Sequence, residues 1–286
     1  MRFGLIANLK RTGAREAVDA LVAWTKHHNH QLALSDDLSL PLPPGALFVS
    51  RADIGANCDM IISMGGDGTM LAASRSAVPH GTPILGINLG SLGFLTQQRH
   101  EQVTAALDSV AAGKYRIEER MLLQAEISGS SNTLPCSLND IVVSNAPVSR
   151  VIDINLKVNG EDVATYTADG LVIATPTGST AYSLAVGGPI MHPKMEAIIA
   201  APISPFSLTI RPIVFDANDV LQLKVTNEKR QSTLTLDGQT MITLHDGEVI
   251  TVTRAKAHAK FVVLPDTSFY TVLRSKLHWG VPPQGE

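Results

Sequence analysis

Residues 58–75 read CDMIISMGGDGTMLAASR, and the order of residue types in this stretch decides the fold of the first part of the chain. Met60 to Met64 is a short apolar run, Cys58 to Met64 reads as a buried strand around it, and Thr69 to Arg75 reads as the start of a helix. Between them, Gly65-Gly66-Asp67-Gly68-Thr69 places one carboxylate among three glycines, so the backbone can turn tightly and approach a ligand closely. GG and DG are also ordinary turn dipeptides, and context decides between the two readings. An acid at the carboxyl end of a buried strand, opposite a helix N-terminus, sits where open α/β sheets bind ligands. There it can take a proton from a bound hydroxyl, which is the layout of a phosphoryl-transfer site.

Working outward, the first part of the chain alternates strand and helix patterns, as a parallel sheet with helical crossovers requires. Arg2 to Ala7 reads as a strand, Ala14 to His28 as a helix with Val18, Leu21, Val22 and Thr25 at helical spacing, and Gln31 to Leu34 as a second strand. Pro83 to Ile87 is another short apolar run. The segment Glu101 to Ala112 is a helix with Val103, Ala106, Leu107 and Val110 on one face, ended by Gly113.

From Lys114 the pattern changes to short segments rich in Val, Ile, Leu and Thr: Leu122 to Ile127, Ile141 to Val143, Ile152 to Val158, Leu171 to Ala174, Ser207 to Ile210, Leu221 to Val225, Thr233 to Leu236 and Val249 to Val252. Close intervals separated by Asn-Gly, Asp-Gly and Pro turns read as a β-sandwich. Asn159-Gly160 and Asp246-Gly247 are read as hairpin turns, Pro193 to Ala201 as a short helix, and Trp279 to Glu286 as a loose tail. The boundary falls near residues 113–118. It gives an α/β domain over 1–115 and a β-sandwich domain over 116–286, with packing of the C-terminal end back onto the first domain left open.

A chain of 286 residues with 44% hydrophobic and 17% charged residues is long enough for two domains and has a folded, soluble composition. A net charge of −3 without a basic block disfavours a nucleic-acid partner. No run is apolar for the roughly 20 residues that a bilayer span needs, and the start lacks a secretory signal, so a cytoplasmic protein without membrane attachment is expected. Cys58 and Cys136 stand apart and read as reduced core thiols. No histidine falls in a metal-binding pattern, and no metal ligand is assigned.

The chain has no GxxxxGK[ST] and no GxGxxG after its first strand, so its phosphate device is neither of those. Residues 167–189, TADGLVIATPTGSTAYSLAVGGP, instead set a strand before a loop of hydroxyls and glycines. Thr177, Ser179 and Thr180 offer hydroxyls, the backbone around Gly178 offers N–H groups, and Tyr182 offers a ring for stacking. Such a loop suits a nucleotide, although a hydroxyl-rich turn before a capped helix would look the same.

GGDGT at 65–69, NLGSLGFL at 88–95, Leu138-Asn139-Asp140, ADGLVIATPTGSTAYSLAVGGP at 168–189, Pro202-Ile203-Ser204-Pro205 and Asp237-Gly238-Gln239 together resemble the NAD kinase family, in kind and in order, over roughly residues 4–265. GGDGT alone is shared with diacylglycerol-type lipid kinases and loosely with 6-phosphofructokinases. The TPTGSTAYSL segment marks NAD kinase. The resemblance implies a Rossmann-like N-terminal domain, a C-terminal β-sandwich and NAD held in the crevice between them. It implies transfer of the terminal phosphoryl group of ATP, or in some members polyphosphate, to the 2′-hydroxyl of the adenosine ribose of NAD.

Carried over by position, the resemblance makes Asp67 the general base and Gly68 a backbone contact, with Gly65, Gly66, Gly68 and Thr69 forming the phosphate loop. It assigns NAD contacts to Asn139, Asp140, Arg150, Asp169, Thr180, Ala181, Tyr182, Ser183, Leu184, Ala185 and Gln239. Asp140 stands where the family usually has Glu. Thr167, at another dinucleotide-contacting position, stands where some relatives carry Arg. Mg2+ would arrive with ATP, since no carboxylate cage is evident. Arg75, beyond the loop, is a candidate for the donor phosphates and equally a solvated surface residue. Family members are typically homodimers or homotetramers. Two other readings stay open: a kinase of the same superfamily acting on a lipid or another hydroxyl acceptor, and a dinucleotide sensor without turnover.

Overall fold

The structure is a computed structural model and describes residues 1–38, 45–90, 92–96, 98–145, 151–226, 232–265 and 267–277. The chain divides into two compact units, one made of Met1–Glu119 and Ala259–Glu286, the other of Arg120–His258.

In the first unit the elements are β1 (Arg2–Ala7), α1 (Ala14–His27), β2 (Gln31–Ser35), β3 (Leu47–Val49), β4 (Met60–Gly65), α2 (Asp67–Ala77), β5 (Ile84–Asn88), β6 (Gln98–Arg99) and α3 (Val103–Ala111). The strands pair in the order β3-β2-β1-β4-β5, all parallel, with β6 on β5. β4 and β5 are buried along their whole length, as expected of strands covered by helices on both faces. Phe3, Leu5, Met60, Ile62 and Met64 pack with the apolar stripes of α1 and α3, and Trp24 Nε1 of α1 donates to Asp108 Oδ1 of α3 at 2.7 Å. α2 packs against β4 and β5. Strand order reverses between β1 and β4, which is the switch point at which such sheets bind ligands.

In the second unit the strands are β7 (Arg116–Ile127, whose first residues belong to the first unit), β8 (Asp140–Asn145), β9 (Ile152–Val158), β10 (Glu161–Ala168) and β11 (Gly170–Ala174). A short helix α4 (Tyr182–Ala185) follows, then β12 (Ala197–Ile203), β13 (Ile213–Asp216), β14 (Leu221–Thr226), β15 (Ser232–Leu236), β16 (Thr240–Leu244) and β17 (Val249–Val263). One antiparallel sheet has the order β13-β12-β11-β8-β15-β16; the other runs β10-β9-β14-β17, with β7 also on β17. On β14, Leu221, Leu223 and Val225 point inward while the residues between them do not, the alternation of a strand with one wet face. These side chains meet Ile141, Val143, Leu171, Ile173 and Leu234 of the facing sheet in one core, so the unit is a β-sandwich.

β17 begins in the sandwich, and Phe261 pairs in parallel with Ile84 of β5 inside the first unit, where Val262 and Leu264 join the core. The last element, α5 (Phe269–Leu277), buries Val272 and Leu273 in that unit.

Three local expectations are corrected. Residues 197–201, read as part of a helix, form strand β12, buried along nearly its whole length and paired to both β11 and β13. The outer face of this sheet carries its own apolar layer, Val142, Val172, Ala174, Met191, Ala197, Ile199 and Ala201, so the strand shows no alternation and a short run gives periodicity nothing to decide on. Residues 207–210, read as a strand, are a turn and loop segment. Asp246-Gly247 is a turn, with Gly247 at φ +83°, but it joins β16 and β17, which lie in different sheets, so it closes no hairpin. Asn159-Gly160 does close one, at φ +52° and +87°, between β9 and β10. Trp279–Glu286 lies outside the described residues.

Candidate functional site

In the first unit, the chain leaves β4 through Gly65 and Gly66 and enters α2 at Asp67, its first residue. The Asp67 carboxylate accepts from the backbone N–H of Phe94 (Oδ2, 3.0 Å) and of Leu95 (Oδ1, 3.0 Å), with the Thr96 hydroxyl at 3.5 Å. The segment after β5 is thereby drawn over the loop, and Asn88 braces it through Nδ2 to Thr96 Oγ1 (2.6 Å) and Oδ1 to the Gly90 N–H (2.6 Å). A Cβ on Gly93 would lie 2.1 Å from Asp67 Oδ1, so only glycine lets the segment come this close. A carboxylate has about four acceptor positions, and with these three donors about one remains for a ligand.

Asp67 opens on a cavity of about 570 Å3 lined by residues after β1 (Ala7, Asn8, Leu9, Lys10, Arg11), by Gly66, Gly68, Thr69 and Ala72, and by Asp37, Leu38 and Arg51. It lies at the β1/β4 switch point. A Cβ on Gly66 or Gly68 would meet nothing within 4 Å, so these glycines answer no crowding inside the protein and leave space for a ligand at the start of α2. Lys10, Arg11 and Arg51 make the cavity cationic, with Arg51 paired to Asp37. Sequence reasoning missed all three; Lys10 and Arg11 follow the first strand at its carboxyl end, a position that could have singled them out. Arg75 lies in the last turn of α2 and does not line the cavity. Among the described residues, no group of three or more His, Cys, Asp or Glu is placed to hold a metal ion.

In the second unit, distant segments meet around residues 138–140. The Asp237 carboxylate accepts from the N–H groups of Leu138 (2.9 Å), Asn139 (2.8 Å) and Asp140 (3.1 Å), and the Asp237 N–H donates to the Asp140 carbonyl (3.0 Å). Thr175 supplies the other two bonds: its Oγ1 donates to the Leu138 carbonyl (2.6 Å) and its N–H to the Asn139 carbonyl (2.9 Å). Gly178 presses on this strand entry so closely that a Cβ would come within 1.9 Å of the Asn139 carbonyl oxygen. The Asp140 carboxyl is buried and pushed up to about 7, first by burial and then by the Asp237 charge, against a smaller opposing pull from the Tyr182 N–H.

The loop after β11 continues through Thr180 and Ala181 into α4, which holds Tyr182, Ser183, Leu184 and Ala185. Tyr182 is exposed, while Thr177 Oγ1 and Ser183 Oγ are buried and find no hydrogen-bond partner among the described residues. Ser63 Oγ, Ser137 Oγ and Tyr166 OH share that state, so it does not by itself locate a ligand. Thr167 on β10 donates to Asp153 Oδ1 at 2.5 Å, and Asp169 sits exposed at the bend between β10 and β11. Gln239 is exposed in the β15–β16 turn, two residues beyond Asp237. Asn139, Asp140 and the Thr175–Ser183 loop are thus gathered together. Arg150 lies outside the described residues.

Fold and site define a class: an α/β unit with an acid and cations at its switch point, carried on one chain with an antiparallel sandwich bearing a hydroxyl-rich loop. Residues 47–115 match the profile of the ATP-NAD kinase N-terminal domain and residues 138–264 that of the ATP-NAD kinase C-terminal domain. The chain is 39% identical over 280 residues to an NAD kinase of Moorella thermoacetica, covering 98% of this chain and 90% of the relative. Among solved structures it resembles an Archaeoglobus fulgidus NAD kinase in complex with ATP (26% identity, TM-score 0.76, 96% and 99% of the two chains). It also shares its fold with yeast NADH kinase complexed with NADH (23% identity, TM-score 0.88, 99% and 89%). The chain belongs to the NAD kinase family.

Proposed function

We propose that this protein transfers the terminal phosphoryl group of ATP to the 2′-hydroxyl of the adenosine ribose of NAD, making NADP, with Asp67 as the general base. The observation that carries this reading is the Asp67 carboxylate, held by two backbone amides on the rim of a cationic cavity at the β1/β4 switch point. Membership of the NAD kinase family supplies the acceptor and donor.

In this reading, the 2′-hydroxyl gives its proton to a free acceptor position of Asp67 as the ribose oxygen attacks the terminal phosphorus. The bond from that phosphorus to the bridging oxygen breaks, and ADP leaves. Lys10, Arg11 and Arg51 offset donor charge, and the open Gly66-Asp67-Gly68 backbone lets phosphates approach the first turn of α2. By family resemblance, Asn139, Asp140, Asp169, Gln239 and the Thr180–Ala185 segment hold the dinucleotide.

Mg2+ would be held mainly by the donor phosphates it arrives with, since Asp67 is committed to the acceptor hydroxyl and Asp37 to Arg51 and Ser35. Delivered with ATP, it would spread the charge on the transferring group. No described helix is long and apolar enough to cross a membrane. A cytoplasmic homodimer or homotetramer completes the proposal, by family resemblance.

The test is NADP formation from NAD and ATP-Mg2+, with Asp67→Asn beside wild type and NAD affinity measured for both. Asp67→Asn should lose roughly 10²–10⁴-fold in kcat while still binding NAD. Near wild-type turnover in the variant removes Asp67 from the base role.

A further inference from the structure

The three residues Leu138-Asn139-Asp140 have six backbone polar groups, and two residues take all of them. Asp237 accepts from the three N–H groups and donates to one carbonyl, and Thr175 donates to the other two carbonyls. Asp237 is 6% exposed and sits at φ +51°, a left-handed conformation that a side chain adopts at a cost and that needs support from its surroundings. A carboxylate fixed this way, almost a hundred residues along the chain from its partners, is more than a turn residue. Thr175 Oγ1 also accepts from the Gly178 N–H at 3.0 Å, so the same pair ties the strand entry to the hydroxyl-rich loop.

We propose that Asp237 is a positioning residue for the dinucleotide: with Thr175 it fixes Asn139 and Asp140 in advance as one rigid contact, so that NAD meets preset side chains. The proposal rests on the reading that residues 139–140 touch NAD. Its consequence for charge is specific. Asp237 lies beside Asp140 and is the second cause, after burial, of the raised Asp140 carboxyl, and it also pushes up the Cys136 thiol. Below about 7 the Asp140 carboxyl is neutral and presents an O–H to the ligand. Above that value Asp140 adds a second negative charge beside that of Asp237, in the segment that the proposal sets against a dinucleotide carrying its own anionic diphosphate, and affinity falls.

The experiment is calorimetric NAD affinity across about pH 5.5 to 8.5 for wild type, Asp237→Asn, Asp140→Asn and Asn139→Ala, with folding checked by circular dichroism. Wild-type affinity should fall through the neutral range. Asp140→Asn should show no such fall, and Asp237→Asn should move its midpoint to lower pH. Asp237→Asn should also weaken NAD about ten- to hundredfold while leaving the KM for ATP unchanged. Folded Asp237→Asn with wild-type affinity and an unmoved midpoint overturns the proposal. Should Asp237→Asn not fold, Thr175→Val carries the test: weaker NAD with unchanged KM for ATP supports it, and unchanged NAD affinity overturns it. Asn139→Ala without effect on NAD affinity removes the ligand from this segment altogether, a different failure from Asp237→Asn being silent while Asn139→Ala is not.

Discussion

At Asp140 burial changes the charge that the folded protein carries. The Asp140 carboxyl is raised from an ordinary 3.8 to about 7, so between those values the folded protein binds a proton that the unfolded chain releases. The stability Asp140 contributes is therefore fully present below 3.8 and drains away as pH rises through about 7. Asp140→Asn removes this slope: the urea midpoint of wild type relative to the variant should fall from about pH 5 to about pH 7.5 and then level off. A constant difference across that range would show that Asp140 is not held neutral. At this scale the sequence pointed to Asp67 because glycines flank it, a pattern visible without coordinates. It could not assign a role to Asp237, because an acid in an Asp-Gly turn looks the same whether its carboxylate faces water or three amides of a distant strand.

Elements with one wet face, such as β9 and β14, were legible because their alternation is written in the residues. β12 was not: paired on both sides, its residues before Pro202 are a run of Ala and Ile that a short helix would tolerate equally well. The loop after β11 was legible by composition, but its close contact with the β8 entry depends on Gly178 lying against Asn139, which no local pattern announces. Gly178→Ala puts a methyl carbon where backbone already stands, so it should destabilise the sandwich by about 1–3 kcal/mol and weaken NAD binding. Denaturant unfolding and calorimetry on the same preparation check both effects, and a variant matching wild type in both would mean that the loop moves aside freely.

At the scale of the whole molecule, the open prediction is assembly. Sedimentation velocity should give two or four times the 30.5 kDa of one chain, and a single-chain mass at working concentrations would end the oligomer proposal. The sequence by itself determined the two kinds of architecture and the family, because periodicity and short motifs are local properties of a chain. Only the tertiary structure decided that the chain returns through β17 and α5 to its first unit. The same holds for Lys10, Arg11 and Arg51 sharing a cavity with Asp67, and for Asp237 and Thr175 gripping Asn139 and Asp140. The physical reason is the same in each case: these contacts join residues from tens to nearly two hundred positions apart, and they exist only once the sheets have fixed which strand ends lie side by side.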